Sequence, residues 1–157
     1  MHEHKSFDDE AATWDDDPGH EVRQVAVARA IEEAGLSDRL RAVQADLTND
    51  LLEESYDVVW SSMALHHVRD LERLLRSVAG LLVDGGRLAI ADLDADPDGS
   101  FHADKVDFDG HHGFDRDRLA DQLARAGFTD VSFFDATTIL KGDRRFRVFL
   151  CTATKGV

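Results

Sequence analysis

Tyr56-Asp57-Val58-Val59-Trp60 and Arg87-Leu88-Ala89-Ile90-Ala91, with Asp70 to Gly86 between them, decide the fold. Each outer segment is a short apolar run rich in residues that suit a pleated strand. Between them Asp70 is placed to cap a helix whose face carries Leu71, Leu74, Leu75, Val78 and Leu82, and Gly85-Gly86 is expected to stop it. A strand, a helix and a second strand apolar on both faces form the unit of a parallel sheet covered on two sides.

Working outward, Glu21 to Ala34 repeats Val27, Ala30, Ile31 and Ala34 at helical spacing, and Gly35-Leu36 reads as its C-terminal cap. Leu40 to Ala45 reads as a short strand ending at Asp46, before the polar turn Thr48-Asn49-Asp50. On the other side, Asp115 caps a helix with Leu119 and Leu123, closed by Gly127-Phe128. Val131 to Phe134 and Phe146 to Thr154 then form two strands around Lys141-Gly142-Asp143, antiparallel to each other because no helix joins them. Asp92 to Gly113 is a long stretch of acid, histidine and glycine without periodicity, the pattern of a functional or a disordered loop.

The expected organisation is a flexible arm over residues 1–18 and one domain over 19–157. A chain of 157 residues with 43% hydrophobic composition can bury one core. No run approaches a membrane span, and Met1-His2-Glu3-His4-Lys5 lacks the apolar centre of a signal peptide, so a cytoplasmic protein with no membrane partner is expected. The formal charge of −14 repels polyphosphates and no basic stripe is present, which argues against a nucleic-acid partner. Cys151, the only cysteine, lies in Val148-Phe149-Leu150-Cys151 and reads as a buried, inert thiol.

Five segments taken in order resemble class I S-adenosylmethionine-dependent methyltransferases of the small-molecule type. They are Ala42-Val43-Gln44-Ala45-Asp46-Leu47, Tyr56 to Val59, Ser61-Ser62-Met63-Ala64-Leu65-His66-His67-Val68, Leu81 to Asp92, and Leu123 to Val131. The arm Phe7 to Asp15 resembles the segment found before the fold in such enzymes. The resemblance implies a truncated Rossmann-like doubly wound α/β domain, mostly parallel with an antiparallel C-terminal strand. One feature departs from the family: Gly35-Leu36-Ser37-Asp38-Arg39-Leu40 stands where a strand and glycine-rich turn belong, so roughly 50 residues of the first βαβ unit are missing. Backbone approach to the cofactor and free helix N–H groups are lost with them. An open sheet edge follows too, for which a homodimer is one remedy.

By the same resemblance S-adenosylmethionine is the cofactor. Asp46 accepts from the adenine amino group, Leu47 packs near the ring, and Ser61 and Met63 line the pocket wall. Trp14 is either a lid over the cofactor or an anchor for the arm. His66 or His67 is a candidate general base, an imidazole titrating near neutrality, or else packs on the next helix. His111 and His112 are candidates for the substrate pocket. With His102, Asp104, Asp107 and Asp109 they raise a metal site as a third reading, though no helical spacing fixes the ligands and no metal is expected. Gly85-Gly86 precedes a strand and so is not a phosphate loop. The function expected is methyl transfer to a small acceptor; the alternative is a non-catalytic, methyltransferase-derived module that no longer binds the cofactor.

Overall fold

A computed structural model describes residues 18–43, 45–49 and 52–157. The chain divides into two compact units, Met1–Asp46 and Leu47–Val157. The expected arm, Trp14 included, lies outside the described residues except for Pro18.

In the first unit α1 spans Pro18–Glu33. Its end is the cap expected from Gly35-Leu36: Gly35 takes φ +66°, its N–H donates to Glu32 O at 2.9 Å, and Leu36 N–H donates to Ile31 O at 3.0 Å. These two bonds satisfy carbonyls that the helix leaves open. The apolar stripe is not a buried one, since Val27 is 53% exposed and Ile31 only half-buried. The expected strand over Leu40 to Ala45 is not formed among the described residues, and Leu40 and Val43 are exposed. A strand needs a ladder partner for its N–H and C=O groups, and none is formed here.

The second unit carries β1 (Tyr56–Ser62), α2 (Leu71–Leu81), β2 (Leu82–Leu93), α3 (Arg116–Arg125), β3 (Phe128–Lys141) and β4 (Arg144–Lys155). Short 3-10 turns follow β1 at Leu65–His67 and β2 at Ser100–His102. Both helices begin where their acidic caps predict: Arg73 N–H donates to Asp70 Oδ1 at 3.0 Å and Arg118 N–H to Asp115 Oδ1 at 2.9 Å. The glycine pair does not stop α2. Leu82 turns extended at once to pair with Tyr56, and pairing resumes at Val58 with Arg87. Gly85 and Gly86 instead form an irregularity inside β2, where Gly85 takes φ +76° and a Cβ on Gly86 would lie 2.8 Å from Val83 O.

The sheet order is β1-β2-β4-β3, with β1 parallel to β2 and β4 antiparallel to both neighbours. Thus β1, β2 and β3 run the same way and β4 alone is reversed. The α/β class stands, but a mostly parallel sheet does not describe the pairing: the hairpin inserts β4 between β2 and β3, so two of the three pairings are antiparallel. Few parallel neighbours remain because no described strand precedes β1, which stands at the sheet edge with Val58 57% and Trp60 74% exposed. The core lies on one face, where Leu88 and Ile90 of β2 and Phe149, Cys151 and Ala153 of β4 meet Leu71, Leu74, Leu75 and Val78 of α2 and Leu119 and Leu123 of α3. Burial pushes the Cys151 thiol up to about 12, as an inert core cysteine requires. No helix among the described residues is long and apolar enough to cross a membrane.

Phe149 is fully buried between Phe133 and Phe114, with ring centroids 5.4 and 6.5 Å away. Phe149→Ala is expected to lower unfolding free energy by about 3–5 kcal/mol, read as a shift of the urea midpoint.

Candidate functional site

The carboxyl ends of β1 and β2 lie side by side, Ser62 pairing with Ala91 and Met63 N–H donating to Ala91 O at 2.8 Å. In an open sheet this edge is where ligands bind. Met63, first out of β1, holds φ +52°, a left-handed backbone that L residues adopt at a cost and that concentrates at functional sites. The chain then makes its 3-10 turn and buries Leu65 and His66.

Asp92, near the end of β2, is 0% exposed and meets His66, 2% exposed. The two side chains join at 2.6 Å through His66 Nδ1 and Asp92 Oδ1. Asp92 also accepts from the backbone N–H of Leu93 at 2.7 Å and of His66 at 3.3 Å. A carboxylate that accepts three N–H groups can stay ionised in the core, and an ionised carboxylate only accepts, so His66 carries a proton on Nδ1.

The segment from Asp94 to Gly113 folds back over this edge as an ordered loop. His111 N–H donates to His66 O at 2.7 Å, and the His111 ring donates from Nε2 to Val68 O at 2.9 Å. Gly110 and Gly113 permit the approach: a Cβ would lie 2.3 Å from His66 O at the first and 2.1 Å from Asp94 O at the second. Asp96 caps the Ser100–His102 turn, accepting from Phe101 N–H at 2.7 Å and Ser100 Oγ at 3.0 Å. The β3–β4 hairpin ties the outer side, with Lys141 on Phe101 O and Asp104, and Arg144 on Asp98. Arg116 grips Asp94 with two bonds of 2.6 and 2.7 Å, and Arg69 pairs with Asp109.

Inside the loop His102, 4% exposed, stacks on Phe108 at 3.7 Å and 7°. Its ring lies 5.1 Å from His66, 6.1 Å from His67 and 5.9 Å from exposed His112. His102 Nδ1 is buried without a hydrogen-bond partner. Burial first, then the neighbouring His66, Lys105, His112 and His67, holds His102 down at about 4. Burial, His66 and Lys105 also lower His67, which is half-buried, with Asp92 opposing them. Both imidazoles are therefore neutral at pH 7.

Of the residues singled out in the sequence, Met63, His66, His67, His111 and His112 meet around this edge. Ser61 is half-buried within β1. Asp46 is exposed at the end of the first unit, while Leu47 opens the second and packs on its core. His111 also lines an open cleft of about 590 Å³ with Leu71, Phe114, Arg118 and Gln122, which His112 does not reach. No three His, Cys, Asp or Glu side chains among the described residues are grouped to hold a metal ion. Asp92 and the His102–Phe108 stack were not picked out as partners of His66. The signal available was an acid closing an apolar strand, but nothing in the spacing pairs it with a histidine 26 positions earlier.

A family model described as a methyltransferase domain matches residues 17–90. Over 72 residues the chain is 36% identical to the methyltransferase GfsG of Streptomyces halstedii, covering 45% of this chain and 26% of that protein. Over 63 residues it is 40% identical to an uncharacterized methyltransferase of Schizosaccharomyces pombe, covering 37% of this chain and 22% of that one. These matches span about a quarter of the relatives' length. Among solved structures, the S-adenosylmethionine-dependent methyltransferase SibL superposes with TM-score 0.69 at 22% identity, over 89% of this chain and 42% of that one. The [4+2]-cyclase SpnF gives 0.68 at 18%, over 87% and 64%. At such identities the structures establish the fold alone.

His102 has a sign-definite consequence for stability. Its folded value of about 4 lies below the ordinary 6.5, so the unfolded chain binds the extra proton first and stability falls as pH drops from about 6.5 to about 4. Asp104 and Asp135, held low by Lys141 and Arg116, lose their contributions only below the usual carboxylate range. His102→Phe is expected to flatten the upper window by up to about 3 kcal/mol and leave the lower one, as measured by urea unfolding from pH 7 to 3.

Proposed function

We propose, from the premise that this chain is a class I S-adenosylmethionine-dependent methyltransferase-type α/β domain, that it transfers a methyl group to a small-molecule acceptor held at the carboxyl ends of β1 and β2. One observation carries the reading: strained Met63, His67 and the buried His66–Asp92 pair converge at the edge where open α/β sheets take ligands, under an ordered loop. His67, neutral at pH 7, suits removal of the acceptor's proton. Half-buried Phe101 and Phe108 supply aromatic surface there, and with a net charge of −14 the site favours neutral or cationic acceptors over anionic ones.

The fit to the cofactor is partial. Leu47, Ser61 and Met63 of the second unit are the residues proposed for its adenosine end. Its charged amino-acid end finds no cradle among the described residues. No glycine turn runs from a strand into a helix there, and one N–H in the first turn of each of α2 and α3, that of Arg73 and that of Arg118, is taken by Asp70 and Asp115. That misfit favours the second reading, a methyltransferase-derived domain kept for interaction or regulation. The [4+2]-cyclase SpnF shares the fold, so this architecture hosts more than one reaction.

Calorimetric titration of the full chain with S-adenosylmethionine separates the two. Saturable heat with a Kd at or below about 1 mM, roughly −4 kcal/mol or better, is expected for the enzyme. No heat and no thermal shift at millimolar cofactor would sink it in favour of the module.

The open edge at β1 is proposed as a homodimer surface, with exposed Val58 and Trp60 at its centre. Light scattering after size exclusion should give twice the chain mass, reduced to one in Trp60→Lys; a stable wild-type monomer counts against it.

A further inference from the structure

We propose that the cleft between the start of α2 and the length of α3 is a second small-molecule site, and that it takes a ligand carrying a carboxylate on an apolar body. Arg118 and Arg125 hold the carboxylate, and Leu71, Phe114 and Leu119 form the floor under the body. The cleft is separate from the strand edge, since Met63, His66 and His67 do not line it.

The sequence of α3 sets up both halves of such a site. Arg118, Gln122 and Arg125 stand four and three positions apart and so share one stripe of the helix. Beside that stripe Leu119 is 0% exposed, and with Leu71 and Phe114, both buried, it gives the cleft an apolar base. His111 forms a fixed wall, its Nε2 committed to Val68 O at 2.9 Å. The volume of about 590 Å³ and the mixture of a buried apolar floor with a few polar groups are those of small-molecule sites.

The state of the arginines points to an anion. Neither the Arg118 nor the Arg125 guanidinium makes a hydrogen bond or ion pair with a described residue. Carboxylates are not scarce: the chain has 32 acidic residues against 18 basic ones, and Arg69, Arg76, Arg116 and Arg144 each hold one. The two acids of the cleft leave this pair free. Asp115 is engaged by the backbone N–H of Arg118 and faces the positive end of α3, and exposed Asp121 pairs with neither arginine.

Charge and geometry then select the ligand. A guanidinium is a planar fork that matches a carboxylate with two N–H bonds, which a neutral group cannot return. The two arginines are about 10.5 Å apart along the helix axis, and their long arms reach the middle, where Gln122 adds amide donors. The net charge of −14 opposes any anion at long range. At physiological ionic strength that field is screened within about 8 Å, so inside the cleft the two guanidinium groups outweigh the distant acids, with Asp121 the one local opponent.

Amide NMR of the full, cofactor-free chain titrated with sodium benzoate tests the site. The Gly113, Phe114, Arg118 and Gln122 signals should shift saturably with a Kd of about 1–10 mM, as a probe this small allows. Benzyl alcohol, which has the ring without the charge, should bind at least about tenfold more weakly. Arg118→Gln and Arg125→Gln should each weaken benzoate by about tenfold, whereas Arg145→Gln, which removes the same charge outside the cleft, should leave it unchanged. No saturable shift, equal binding of benzyl alcohol, an equal loss in Arg145→Gln, or shifts centred on Met63 and His67 would each overturn the proposal. If a variant does not fold, the wild-type comparison of benzoate with benzyl alcohol decides alone. With no cofactor present, the result stands apart from the methyltransferase reading, and a failed cofactor titration leaves it untouched.

Discussion

The site depends on burying one carboxylate. An ionised Asp92 taken fully from water would cost several kcal/mol without compensation. Its acceptors are met by the His66 ring, the His66 amide and the Leu93 amide. Those bonds join the end of β2 to the turn after β1, so the electrostatic requirement of one side chain sets how the two parallel strands present their carboxyl ends. Met63's left-handed backbone, two residues past the last β1 pairing but one, is part of the same arrangement, since the chain must leave β1 sharply for His66 to reach Asp92.

The loop laid over that pair is held by polar bonds as well as by ring packing of Phe101 on Phe146 and His102 on Phe108. His111 hooks the returning loop to His66 and Val68, and glycines at 110 and 113 let backbone approach where a Cβ would collide. Lys141, Arg144, Arg116 and Arg69 pair with loop carboxylates. Exposed pairs of this kind contribute little each, but several fastened to one segment set its position. The acidity of the chain therefore has a structural correlate: the loop is acidic where the hairpin and α3 are basic.

Legibility followed the range of the interaction. The caps at Asp70 and Asp115 and the Gly35-Leu36 ending of α1 were readable because each is settled within about five residues. The segment Leu40 to Ala45 has strand composition but no ladder partner, and composition does not supply one. Gly85-Gly86 announced a turn, and whether it would end a helix or kink a strand depended on the pairing of Leu82 with Tyr56. β3 runs on to Lys141, far past its apolar part Val131 to Phe134, because β4 offers a partner through Arg144 and Gly142 makes the turn. Among site residues, His66, His67, His111 and His112 stood out in the sequence, while the pairing of His66 with Asp92 and the burial of His102 are products of the fold.

The sequence by itself determined the α/β class, the two capped helices, the final hairpin, the single inert cysteine and the family likeness carried by Tyr56 to Asp92. It also shows Gly35 as the sole glycine from Gly35 to Asp46, so no G-x-G turn can form in that stretch. Tertiary structure alone decided the strand order, the reversal of β4 within the sheet, and which histidine meets which carboxylate. The reason is physical: caps and turns are fixed by bonds within a few residues, whereas ladder partners and buried charge pairs are chosen among distant groups by what remains to be satisfied when water is excluded.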